Sequence, residues 1–116
     1  VAARYGPPPA PTDWVDPLPL HEDPTLDLTA ELVAWANPLL TPSPAGPAYD
    51  PVPALPDGVR RTTVFFSRTP SYFPCGYTRA AMDESGEPYA LLDAGHDAPL
   101  THPELVAAAL IAMLEP

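Results

Sequence analysis

Apolar residues are distributed differently in the two halves of this chain. From residue 59 onward they gather into short runs separated by turn residues. VRRTTVFFS (59–67) is β-branched and aromatic, lies between Gly58 and Pro70, and predicts a strand. GYTRAAMD (76–83) alternates Tyr77, Arg79 and Ala81 against Thr78, Ala80 and Met82, which predicts a second strand. EPYALLD (87–93) predicts a third, with Pro88 suited to its start, and Glu84-Ser85-Gly86 supplies a hairpin turn between the two. Thr101-His102-Pro103-Glu104 has the form of a capping box. It opens LVAAALIAMLE, apolar at 105, 106, 109, 110, 113 and 114, and so wide an apolar face predicts a core helix over 102–114. The expected order is β-β-β-α, an antiparallel sheet with the helix across one face.

The first half has no such rhythm. Residues 1–22 read as an extended polyproline-type arm with Tyr5, Trp14, Val15, Leu18 and Leu20 as spaced anchors. Asp23-Pro24 is a helix-start signal, and Leu26, Ala30 and Val33, widened by Leu32, Trp35 and Ala36, mark one apolar side. Pro38 disfavours helix at Asn37, so the helix is expected over 24–36, short enough to need a surface to dock on. Residues 38–58 carry seven prolines and no helical or strand period; they read as a connector ending in the Asp57-Gly58 turn. No internal repeat is visible. The expectation is an α+β protein: a proline-rich arm, short helix and connector over 1–58, and a compact unit over 59–116. A unit of that size is marginal by itself, so the helix and arm are expected either to drape over its sheet or to lie on a partner.

Composition sharpens this picture. Of the chain's 20 prolines, fourteen lie between Pro7 and Pro56, so the second half must supply most of the regular structure. Fifteen carboxylates face five arginines, with no lysine. Residues 1–58 hold eight acidic side chains and one arginine, and 59–116 hold seven and four, a net −7 and −3 that sum to the chain's −10. Such charge is repelled by nucleic-acid phosphate and anionic lipid, so neither is an expected partner. The carboxylates sit singly rather than in dense rows, which argues against mimicry of DNA. The lone Cys75 cannot close an intramolecular disulfide, no apolar run is long enough to span a membrane, and a cytoplasmic, bacterial setting is the expectation.

Candidate chemistry is sparse. The loop SRTPSYFPCGY (67–77) holds Cys75, a nucleophile only if a histidine is brought near it in space, with His96 and Asp93 the other candidate catalytic residues; otherwise it packs as a small hydrophobe. Arg68, Tyr72 and Tyr77 are the candidates for binding a ligand at this loop, with internal ion pairing the plainer use of the arginine. His96 and His102 are six residues apart, a spacing with no metal signature, and His21 is isolated. Gly-rich phosphate loops, GxSxG, HExxH and CxxC are all absent from the sequence, and neither metal nor cofactor is expected. The leading expectation is a non-enzymatic interaction protein, an accessory subunit, adaptor or inhibitor. It would meet another protein through Tyr5, Trp14, Leu18, Leu20 and Trp35. The alternative is a small enzyme or ligand-binding domain with its pocket at 67–77 and His96.

Overall fold

The structure, a computed structural model, describes residues 7–114. Among the described residues, four α-helices and two two-stranded sheets make a mixed α and β arrangement. In the first half, strand β1 (Trp14–Val15) pairs antiparallel with β2 (Ser43–Pro44), Trp14 opposite Pro44 and Val15 opposite Ser43. Helix α1 (Ala30–Ala36) lies between them. The second half runs β3 (Val64–Phe66), α2 (Cys75–Ser85), β4 (Ala90–Leu92), α3 (Ala98–Thr101) and α4 (Pro103–Leu114).

The expected antiparallel β-β-β-α sheet is not what forms. Segment 76–83 is helical, the hairpin 76–93 does not exist, and β3 pairs parallel with β4 in the register Val64–Ala90, Phe65–Leu91, Phe66–Leu92. Two facts of the sequence explain this. Ala80, Ala81, Met82 and Glu84 are strong helix formers, and an eight-residue alternation fits a helix nearly as well as a strand. Gly86, expected in a hairpin turn, instead ends α2 in the left-handed conformation at φ 71°, its amide bonded to the Met82 carbonyl. Parallel strands then require a long crossover, which residues 67–89 supply. A Cβ at Gly86 meets nothing within 4 Å, so only the backbone conformation resists it. Gly86→Ala should therefore cost about 1 kcal/mol, read from chemical denaturation. An unchanged midpoint would show that Gly86 is dispensable to the helix end.

The 24–36 helix is also divided. Asp23 caps a single 3-10 turn, Pro24–Leu26, accepting hydrogen bonds from the Thr25 amide at 2.9 Å and hydroxyl at 2.7 Å. Those bonds, the hydroxyl's first, hold its carboxyl below the ordinary aspartate range. Asp27 then adopts φ 60°, which breaks the helix, and Thr29 caps α1 by accepting from the Leu32 amide at 3.2 Å. The capping box at 101–104 likewise fails to form. Thr101 belongs to α3, and its hydroxyl lies 2.8 Å from His102 Nδ1.

The core is small. Among the described residues, Leu28, Ala36, Ala45, Phe65, Met82, Ala94 and Ala98 are buried, and no large side chain is completely enclosed. Phe65 meets the Tyr89 ring edge-on at 5.0 Å. The 24–28 segment rests on the second half where Gly95, buried, leaves room for it: a Cβ there would stand 3.2 Å from the Leu26 carbonyl oxygen. Helix α4, expected in the core, contains no buried residue. It is apolar on all sides, so its pattern selects no single face to bury. The accessible surface is 8910 Å2 for 12.3 kDa, against roughly 6,100 Å2 for a typical globular protein of that mass.

Candidate functional site

Parallel strands deliver their following loops to one edge, which is where such sheets usually hold ligand-binding groups. Here the residues after β3 and β4 are kept adjacent by backbone bonds from Ser67 to Leu92 at 2.8 Å and from Arg68 to Ala94 at 3.0 Å. The Ser67 hydroxyl consequently reaches Asp93 Oδ1 at 3.0 Å. Arg68 turns toward the 24–28 segment. Its Nη1 donates to the Thr25 carbonyl at 2.9 Å and its Nη2 to Asp27 Oδ2 at 2.8 Å. Its Nε, shielded from solvent, makes no hydrogen bond but stands at ion-pair distance, 3.4 Å, from Asp93 Oδ1. His102 Nε2 approaches the same Asp27 oxygen at 3.4 Å. Two carboxylates and a carbonyl of its own chain thus surround this guanidinium. That arrangement suits a clasp between the two halves better than an open cradle for an anion.

Two clefts flank the edge. One, of about 480 Å3, is walled by Phe65, Phe66, Ser71, Cys75, Tyr77 and Arg79. Cys75 enters it from the first turn of α2 and is partly exposed. Across the same helix, Arg79 Nε donates to the Tyr89 hydroxyl at 3.2 Å, and that hydroxyl donates to Asp83 at 2.7 Å. The tyrosine hydrogen bond first, then the charges of Tyr89 and Asp83, raise the Arg79 pKa above its ordinary value. The second cleft, of about 540 Å3, lies between residues 18–28 and the loops bearing Tyr72, Phe73, His96 and Asp97. The His96 ring leans on Phe73 with centroids 4.2 Å apart, and Phe73 in turn stacks on Tyr72 at 5.2 Å.

The candidate catalytic groups therefore do not converge. Cys75 lines the first cleft, His96 the second, and Asp93 is engaged with Ser67 and Arg68. Of the ligand-binding candidates, Tyr77 lines the first cleft, Tyr72 the second and Arg68 neither. Among the described residues no group of three or more His, Cys, Asp or Glu could hold a metal ion, and no helix is long and apolar enough to cross a membrane. With no histidine among the residues that line the thiol's cleft, Cys75→Ser should leave any measured binding or activity within about threefold. A loss of about a hundredfold with an intact fold would overturn this.

The interaction candidates are set differently. Trp14 is 69% exposed and Trp35 60%, and these are the chain's only tryptophans. Leu18 is also exposed, Leu20 is half-buried, and Tyr5 lies outside the described residues. The arm's backbone is nonetheless held at home. Beyond the β1–β2 pairing, Ala45 donates to the Asp13 carbonyl, the Tyr49 hydroxyl to the Pro9 carbonyl, and the Leu20 amide to Asn37 Oδ1, whose Nδ2 donates back to the Leu20 carbonyl. Sequence reasoning missed α4 as an exposed apolar element, where Leu105, Leu110, Ile111 and Leu114 all face outward. Its signal was present: apolar residues on every side of the helix rather than on one stripe. No family model, curated protein or solved structure matches this chain.

Proposed function

We propose that this chain is a non-enzymatic interaction protein, an accessory subunit, adaptor or inhibitor that binds another protein through its proline-rich arm and neighbouring apolar side chains. The observation that carries the reading is the exposure of both tryptophans, at 69% and 60%. Tryptophan is normally well covered in a folded monomer, and it is among the residues most enriched where binding energy concentrates at interfaces. The surplus of accessible surface supports the same reading. So does the backbone anchoring of the arm, which presents Trp14 and Leu18 from a fixed position and reduces the entropy lost on binding. A cytoplasmic setting belongs to the same proposal, supported by the single cysteine. The alternative, a small enzyme or ligand-binding domain at the 67–77 loop, draws on the 480 Å3 cleft, but His96 lines the other cleft and not this one. Purification of the native protein with its stable companions, repeated with Trp14→Ala/Trp35→Ala, tests the proposal. Loss of a companion in the variant supports it. A companion retained at full yield, or none in either preparation, overturns it.

A further inference from the structure

Resting on that reading, we infer that the partner segment is basic, and that it seats an arginine or lysine side chain in the 540 Å3 cleft between residues 18–28 and the loops carrying Tyr72, Phe73 and Asp97. The cleft is of mixed chemistry. Leu20, Leu26 and Phe73 give it an apolar wall, and Tyr72 and Phe73 add aromatic surface. Glu22 and Asp97 place carboxylates on the same lining, and neither side chain makes a hydrogen bond or ion pair among the described residues. Asp23 also lines it but is committed to Thr25.

This combination separates the possible occupants. An apolar side chain would fit the wall but would strip water from two carboxylates and give them nothing in return. An anion would be repelled by both, and by a half-chain whose eight carboxylates outnumber its single arginine. A side chain with an aliphatic stem and a cationic head suits the apolar wall and both carboxylates, and His21 and His96 occupy other parts of the lining. The stem would lie along Leu20 and Leu26, and the head would meet the carboxylates of Glu22 and Asp97. A second copy of this chain is a poor occupant, because it would bring a net charge of −10 to an already acidic surface.

The probe is a fluorescein-labelled octapeptide of alternating arginine and leucine, compared with its citrulline analogue, which keeps shape and removes charge. Anisotropy titrations would use the whole chain, Glu22→Gln/Asp97→Asn, and Asp50→Asn/Asp57→Asn as a control carrying the same change in net charge outside the cleft. The expected result is loss of arginine-peptide affinity by at least about tenfold in the first variant and less than about twofold in the control, with the citrulline peptide weaker than the arginine one by a similar factor. Equal losses in both variants would reveal diffuse electrostatics and overturn the site. Equal binding of the two peptides, or no binding of the arginine peptide up to roughly 1 mM, would overturn the cationic occupant. Dimerisation that depends on Glu22 and Asp97 would hand the cleft to a second copy and would overturn the inference as well. A native companion lost from Trp14→Ala/Trp35→Ala but kept by Glu22→Gln/Asp97→Asn would overturn this inference alone and leave the interaction reading standing.

Discussion

Arg68→Ala should lower the melting temperature by roughly 10 °C. The side chain donates to the Thr25 carbonyl and to Asp27, and it lies beside Asp93, so one residue ties the 24–28 segment to the edge of the parallel strands. Hydrogen bonds to charged groups are worth about 1.5–3 kcal/mol each when well buried. Arg68 is about a third exposed, and water screens these bonds, so a total of about 2 kcal/mol is the reasonable expectation. In a chain of this size each kcal/mol moves the midpoint by roughly 4–8 °C. Removing the guanidinium also leaves Asp27 and Asp93 close to each other's side of the joint without their shared counter-charge. Arg68→Lys should recover less than half the loss, because an ammonium cannot reproduce the forked contact with a carbonyl and a carboxylate. A midpoint that moves by less than about 2 °C in Arg68→Ala would show that the clasp is incidental.

The tryptophan pair should show the opposite profile. Trp14→Ala/Trp35→Ala removes side chains that already face solvent, so folding loses little and the melting temperature should shift by no more than about 3 °C. Binding to the native companion should weaken by at least about a hundredfold. An interfacial tryptophan commonly contributes about 2 kcal/mol or more, and every 1.4 kcal/mol is a factor of ten. The two measurements divide the structural roles cleanly: a variant that melts much lower yet binds unchanged would assign the tryptophans to the fold and refute the interaction surface.

Much of the fold was legible in short-range pattern. β3 falls inside the strand expected at 59–67, β4 inside 87–93, α1 inside 24–36, and α4 inside 102–114. The largest error lay in one segment and propagated. Glycine after Glu84-Ser85 serves a hairpin turn and a helix end equally well, because both need positive φ, and only the long-range pairing of β3 with β4 decides between them. The site was less legible. Arg68 and Asp27 are 41 residues apart, and no local pattern announces that a left-handed turn will bring them together. The separation of Cys75 from His96 into different clefts is likewise a property of chain crossing, which spacing along the sequence does not encode.

Helix α4 gives the protein's acidity a second meaning. An apolar helix with no buried residue would ordinarily draw copies of a protein together, and its surface carries little to oppose that. The opposition comes from elsewhere in the molecule, from a net charge of −10 on 116 residues. Like charge of that size acts as a colloidal spacer whose reach shortens with ionic strength, to about 8 Å under physiological conditions. The carboxylates scattered between the prolines thus set how crowded the protein can become before its own exposed helix begins to cross-link it.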